Sequence, residues 1–286
     1  MPARKPLRIC LAASEITPLA KTGGLADVTA ALTAYLDARG HDVRMLMPFY
    51  STIEEGALEI DVVPELQDMS MELDGRTIHY WIVRARQDAD SAAFYLLQCP
   101  ELYGGPDLYG GEDEHIRFVL LTRAAIEMCQ RLRFSPDLFH IHDWHTALLP
   151  VYLRTTYAWD DLFRDTRTVL TIHNIGYQGV FGNDVLGPIG LEYSTDFLDQ
   201  EDLYQGRINF LKTGVTHADL LTTVSPTYAR EILGPEYGMG LEHALRARHG
   251  RLIGILNGVD YDEWDPATDS LIPANYSSDD MSGKAE

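Results

Sequence analysis

Cysteine is scarce in this chain: three residues in 286, Cys10, Cys99 and Cys129, widely spaced and odd in number. That excludes a disulfide framework or a zinc site built on cysteine pairs, and it predicts a reducing, cytoplasmic setting. Positive charge is in deficit, with 23 Lys and Arg against 43 Asp and Glu and a net charge of −20. Such a surface repels nucleic acid and anionic membranes, so neither is an expected partner. No apolar run reaches the roughly 18–20 residues of a membrane-spanning helix. The basic start, Met1 to Pro6, leads into a short apolar stretch that runs on to Glu15, which predicts a first strand rather than a signal peptide. Three signatures are also missing: the G-x-G-x-x-G dinucleotide fingerprint, the P-loop, and the G-x-S-x-G elbow that would supply a hydrolase nucleophile.

What is present is alternation. Strand-like apolar runs recur at Arg8–Ala13, Val43–Pro48, Leu138–His142, Thr168–His173, Leu220–Val224 and Leu252–Leu256. Helical patterns separate them at Leu25–Arg39, His115–Leu132, Thr146–Tyr157, Ile208–His217 and Leu241–Arg248. This predicts an α/β fold: a doubly wound, mostly parallel, Rossmann-like sheet with helices on both faces. Between Leu58 and Gln98 the pattern changes, and Thr77–Arg84 with Phe94–Leu97 predict antiparallel strands inserted at the sheet edge. Residues 1–264 read as this domain. Residues 265–286, with Pro266, Pro273, Ser277, Ser278 and Gly283, read as a linker leading to a further domain.

In such a sheet, ligands bind beyond the carboxyl ends of the strands, so polar residues there are the candidates. After the first strand come Glu15, Lys21, Gly23, Gly24 and Asp27. A strand feeding a Gly-Gly turn and a helix start suits an anion, since the helix N-terminus presents free N–H groups and partial positive charge. After later strands come His140, His142, Asp143, Trp144 and His145; His173, Asn174, Tyr177, Gln178 and Gly179; and Asn257 with Asp260. Amides, carboxylates and imidazoles bond hydroxyls, and flat rings stack on sugars, so this rim suits a polyhydroxylated ligand. Plainer readings stand beside it. Gly23-Gly24 also fits a simple turn, Asp143 an N-cap for the Thr146 helix, and His140, His142 and His173 buried hydrogen-bonded histidines. Ser225-Pro226-Thr227 fits a cap with proline in the first turn. The histidine cluster has the wrong spacing for an H-x-H-x-D-H hydrolase, because Asp143 follows directly on His142; no metal is expected.

Several segments together resemble the bacterial glycogen synthases and plant starch synthases, the ADP-glucose-dependent glucosyltransferases of GT-B architecture. They are Lys21-Thr22-Gly23-Gly24-Leu25-Ala26-Asp27-Val28, His142-Asp143-Trp144-His145-Thr146, Thr171-Ile172-His173-Asn174 with Tyr177-Gln178-Gly179, Phe210-Leu211-Lys212-Thr213-Gly214, Thr223-Val224-Ser225-Pro226-Thr227, and Leu256-Asn257-Gly258-Val259-Asp260. The resemblance implies the N-terminal, acceptor-side half of a GT-B fold, with a C-terminal nucleotide-sugar domain beyond the linker. It implies retaining transfer of glucose from ADP-glucose to the non-reducing end of an α-1,4-glucan, with no further cofactor, and a chain inactive by itself. On this reading His173 and Asp143 are catalytic. Lys21, Gly23, Gly24, Asp27, Trp144, His145, Asn174, Tyr177, Gln178 and Asn257 bind or line the donor and glucan. A departure lies at Gly111 and Glu114, where relatives often carry Tyr and Asn; the tyrosine lies near the acceptor side in relatives, so the family's acceptor preference and affinity do not carry over to this chain. A stand-alone glucan- or partner-binding module is the alternative from another class.

Overall fold

A computed structural model describes residues 5–86, 93–258 and 265–285. They fall into two units, Met1–Leu256 and Asn257–Glu286. The larger unit is built on one sheet of ten strands: β1 (Arg8–Ala12), β2 (Asp42–Pro48), β3 (Glu59–Val62), β4 (Met69–Leu73), β5 (Arg76–Arg86), β6 (Phe94–Gln98), β7 (Leu138–His142), β8 (Arg167–Ile172), β11 (Leu220–Thr223) and β12 (Leu252–Gly254). Two short strands, β9 (Val180–Gly182) and β10 (Arg207–Asn209), form a separate antiparallel ribbon. The helices are α1 (Gly24–Ala38), α2 (Pro100–Tyr103), α3 (Glu114–Arg131), α4 (Asp143–Thr146), α5 (Leu149–Arg154), α6 (Gln200–Tyr204), α7 (Phe210–His217), α8 (Pro226–Glu231) and α9 (Glu242–Ala247).

The spatial order is β12-β11-β8-β7-β1-β2-β6-β5-β3, with β4 added on β5. From β12 through β6 every pairing is parallel. The chain builds outward from β1 in one direction to β2 and in the other to β7. Open α/β sheets place their ligands at such a reversal, here beyond the carboxyl ends of β1 and β7. The central strands are apolar because both faces are covered; Ile9, Cys10, Leu11 and Ala12 are all buried. Helix α3 is buried around most of its circumference, from Ile116 to Cys129, which explains its weak amphipathic pattern. Cys10, Cys99 and Cys129 are free and buried.

Three local expectations change and a fourth holds. The Phe94 strand, β6, is parallel to β2, so the antiparallel insertion begins only at β5 and includes β3 and β4. The helix expected over Thr146–Tyr157 is two short helices, α4 and α5, and the first begins at Asp143. The helix expected from Ile208 begins at Phe210, because Arg207–Asn209 pairs as β10 and the Asn209 side chain caps the helix by accepting from Lys212 N–H at 2.9 Å. Ser225 caps α8 as anticipated, accepting from Tyr228 N–H at 2.9 Å with Pro226 behind it.

The smaller unit has no α-helix or strand among its described residues. Its Asn275 side chain donates to the carbonyls of Pro266 (3.0 Å) and Asp269 (2.6 Å), and Lys284 lies over the Tyr276 ring at 5.5 Å. Val259 and Asp260 of the Asn-Gly-Val-Asp segment lie outside the described residues.

Candidate active site

The chain leaves β1 through Ser14 and Glu15, both buried. A buried carboxylate must find donors. Glu15 accepts from the backbone N–H of Thr22 at 2.6 Å, from the Thr22 hydroxyl at 2.7 Å, and from the hydroxyl of Tyr109. The Tyr109 hydroxyl also bonds Ser14 Oγ at 2.9 Å. The loop carrying Tyr109 is held in turn by the buried Arg117. Its guanidinium donates to the carbonyls of Asp107 (3.2 Å), Leu108 (2.8 Å) and Gly110 (3.1 Å). Glu114, at the position of the family departure, accepts from Gly110 N–H at 2.6 Å.

The Lys21–Gly24 loop is thus anchored from behind by Glu15, and its front is open. Gly23 has an extended backbone, with φ −157°, and a Cβ on Gly23 or Gly24 would meet nothing within 4 Å. Neither glycine is required by the turn. What their missing side chains do is leave bare the N-terminus of α1, which carries no side-chain cap. Lys21 Nζ donates to Asp27 Oδ1 at 2.7 Å, and Thr17 Oγ1 donates to the same oxygen at 2.8 Å. The hydrogen bond from Lys21 is the chief reason the Asp27 carboxyl is held below the usual carboxylate range.

A second cluster forms where β7 and β8 end side by side. Alternation along β7 puts His140 and His142 on one face, with rings stacked at 4.5 Å. His142 is fully buried, and its Nδ1 shares a hydrogen bond of 2.9 Å with Nε2 of His173. Asp143 adopts φ +53°, a left-handed backbone that is uncommon outside glycine and most tolerable for Asp and Asn. That twist turns its side chain across to β8. Oδ1 accepts from the backbone N–H of His173 at 2.7 Å and, more weakly, of Asn174 at 3.4 Å. The N-cap role expected for Asp143 is therefore not what it does. Thr146 Oγ1 instead accepts the His142 N–H at 2.8 Å.

Burial sets the charge of this cluster. It pushes the Asp143 carboxyl up to about 7, against the pull of its two backbone donors. It lowers His140 and His173 to about 4, His145 to about 3, and His142 well below the ordinary imidazole value. At neutral pH all four imidazoles are uncharged.

The other expected site residues divide sharply. Asn174 and Tyr177 are exposed at the end of β8, with Asn174 Oδ1 accepting from Gly176 N–H at 2.9 Å in an Asx turn. Trp144 is only 5% exposed. Its indole lies 5.1 Å from the Phe118 ring and near Phe181 and Phe210, and the face expected to stack on sugar is covered by protein. Gly179 seals it: φ is +60°, and a Cβ there would sit 2.2 Å from the indole. His145 is packed between Tyr109, Phe118 and Trp144, at ring distances of 4.9, 4.4 and 4.3 Å. Gln178 is a tie rather than an open contact. It donates to the carbonyls of Ile175 (3.1 Å) and Met239 (3.0 Å) and accepts from Asn209 Nδ2 at 2.6 Å. Asn257 is exposed and opens the smaller unit.

Two contributors were not assigned from the sequence. Tyr109 sits in a loop with no periodic signal; its only mark is an aromatic directly before Gly110-Gly111. His142 lies in a motif that was read, but its partner, His173, is 31 residues away, and only the β7–β8 register joins them. Among the described residues no group of three or more His, Cys, Asp and Glu could hold a metal ion; His140 is bonded to Thr171, and His142 and His173 are bonded to each other.

The chain is similar to known proteins in both sequence and fold. Residues 8–247 match the starch synthase catalytic domain family. Glycogen synthase 1 of Geobacter sulfurreducens is 45% identical over 97% of this chain, and the glycogen synthase of Aeromonas salmonicida is 37% identical over 99%. The catalytic domain of starch synthase IV from Arabidopsis thaliana, bound to ADP and acarbose, superposes with a TM-score of 0.85 at 31% identity, covering 98% of this chain. The match takes in 56% and 58% of the two bacterial relatives and 57% of the plant chain, so this chain spans little more than half their length. With the family's matched region taking in the sheet from β1 through α9 and both clusters at its carboxyl edge, the chain belongs to the starch synthase catalytic domain family of glycosyltransferases.

Proposed function

We propose that this chain is the acceptor-side half of a glycogen or starch synthase that transfers glucose, with retention, from ADP-glucose to the non-reducing end of an α-1,4-glucan. Residues 1–264 form its Rossmann-like domain, residues 265–286 lead toward the nucleotide-sugar domain of a GT-B enzyme, and the reaction uses no metal or cofactor and runs in the cytoplasm. The observation that carries this is the presence, at the carboxyl edge of one sheet with only β7 between their strands, of an uncapped helix start at two open glycines after β1 and a neutral, tightly held histidine after β8.

The chemistry follows from that pairing. The bare N-terminus of α1 offers backbone N–H groups and partial positive charge to a diphosphate, with Lys21 adding a full charge beside it. Front-face departure of the diphosphate needs no protein nucleophile; positioning and electrostatics do the work. His173, uncharged at neutral pH, can hydrogen-bond a glucose oxygen without placing a second positive charge beside a developing oxocarbenium ion. Asp143 acts on His173 and Asn174 through their backbone N–H groups, which makes it a positioning residue. Asn174, Tyr177 and Asp27 line the sugar side.

The test is complementation. The chain alone should transfer no measurable glucose from ADP-glucose to maltooligosaccharides. Fused to the C-terminal part of Geobacter sulfurreducens glycogen synthase 1, it should. Full activity alone, or an inactive but folded fusion that binds neither ADP-glucose nor millimolar maltooligosaccharide, would overturn the proposal.

A further inference from the structure

His142 is the least accessible polar side chain of the cluster, and it touches the site only through His173. It is fully buried, stacked on His140, and bonded through Nδ1 to His173 Nε2 at 2.9 Å. Its other nitrogen, Nε2, is buried and has no hydrogen-bond partner among the described residues. His173 differs: it is half-buried, and its Nδ1 has no protein partner among the described residues yet is not one of the buried orphan atoms.

These facts restrict where the protons sit. Both imidazoles are neutral, so each carries one N–H, and one proton lies between His142 Nδ1 and His173 Nε2. If His173 supplied it, His142 would carry its own proton on Nε2, as a buried donor with nothing to bond. Orphaned buried N–H groups are the rarer and costlier case, against an unsatisfied acceptor. The cheaper arrangement has His142 Nδ1–H donating to His173 Nε2. His173 must then carry its proton on Nδ1, the nitrogen left open.

We propose that His142 is a positioning residue that fixes His173 as the Nδ1–H tautomer, so that the imidazole faces the site as a hydrogen-bond donor. The donor's use, toward an oxygen of the sugar, rests on the function proposed above; the tautomer does not. Asp143 completes the hold by fixing the His173 backbone, so ring and main chain are clamped by adjacent residues of one strand end.

The experiment is long-range 15N–1H correlation NMR on the 286-residue chain with 15N-labelled histidine. Wild type should show His173 with a pyrrole-type Nδ1 and a pyridine-type Nε2. His142→Phe, which keeps a ring and loses the donor, should release His173 toward the Nε2–H form that free histidine prefers. His142→Asn, whose amide can donate in place of Nδ1, should retain Nδ1–H. A wild-type His173 protonated on Nε2 overturns the proposal even if neither variant folds. Adding ADP-glucose to the fusion with the C-terminal part of Geobacter sulfurreducens glycogen synthase 1, labelled in the same way, separates the two claims. It should shift the His173 Nδ1 resonance in wild type and bind about tenfold more weakly to His142→Phe than to His142→Asn, a difference the size of one hydrogen bond. An Nδ1–H tautomer with no response to ADP-glucose would count against the function and leave the tautomer standing.

Discussion

The loop after β1 and the corner between β7 and β8 both sit at the carboxyl edge of one sheet, and they are built on opposite principles. The first keeps its charge at the surface: Lys21 and Asp27 pair with side chains 41% and 44% exposed, and the glycines in front of α1 fill no space. The second is desolvated: its imidazoles are neutral, its carboxyl is pushed up to about 7, and Gly179 is wedged against Trp144. Bare N–H groups and an ion pair held at the surface leave the first region open to solvent, which the proposed encounter with a phosphate would require. A region that must hold one imidazole in one orientation profits from burial, which makes each misplaced proton expensive. The same residue type, glycine, therefore serves access in one loop and packing in the other.

The sharpest way to break this contrast is to add the same methyl group in both places. Gly179→Ala would need an alanine at φ +60° with its Cβ inside the Trp144 ring. Strain and overpacking together should cost about 3 kcal/mol or more, read as a lower midpoint in urea denaturation. A loss under about 1 kcal/mol would show that the indole is free to move.

Acid should come next in size. His140 and His173, near 4, and His145, near 3, have folded pKa values below the unfolded 6.5, and His142 lies lower still. Between about pH 4 and 6.5 the unfolded chain binds more protons at these sites, so their stabilisation is full above 6.5 and is lost as pH falls. Asp143 works the other way. Its folded value near 7 lies above the unfolded 3.8, so its contribution is present at low pH and is lost as pH rises toward 7. Thermal midpoints should fall on going from pH 7 to pH 5, and Asp143→Asn, which removes the opposing group, should steepen the fall. A flat profile, or a shallower one in the variant, would contradict the neutral-histidine corner.

Glu15 distinguishes the support of the glycine loop from its front. Glu15→Ala strands the Thr22 N–H and two hydroxyls and should cost roughly 1–3 kcal/mol. Glu15→Gln should cost less, since hydroxyls can turn to accept from the new amide. Equal losses would mean that the carboxylate's charge, not its acceptor geometry, holds the loop.

The smallest effect on stability should come from Gly24→Ala. Its Cβ meets nothing, and alanine suits a helix start better than glycine, so the midpoint should stay level or rise by up to about 1 kcal/mol. In the complemented enzyme the same methyl should weaken ADP-glucose use by about tenfold or more, by standing where a diphosphate would meet the backbone. Unchanged kinetics would remove the glycine pair from the donor site.

Legibility followed locality. The strands β1, β2, β7, β8 and β11 were readable because burial on both faces demands unbroken apolar runs. The Lys21–Val28 loop was readable because its device, two glycines before a helix, is contiguous. The Ser225 cap was readable for the same reason. The parallel placement of β6 was not, since residues 94–98 say nothing about direction; pairing with β2 decides it. The division of Thr146–Tyr157 into two helices was hidden as well, because both pieces are apolar. Within the site, Trp144 and His145 look in sequence like ring platforms for a sugar, and only packing against Phe118, Phe210 and Gly179 turns them inward.

The sequence by itself determined the class of fold, the family, and which strand ends carry the candidate residues, because each rests on short contiguous patterns. Tertiary structure alone decided which of those residues remain open to a ligand and what charge they carry. Asp143 reaches His173 and Asn174 through a left-handed backbone turn, Glu15 reaches Tyr109 across 94 residues, and His142 reaches His173 through the β7–β8 register. Burial and hydrogen-bond partners are properties of neighbours distant in the chain, and they set the pKa values and tautomers on which the chemistry depends.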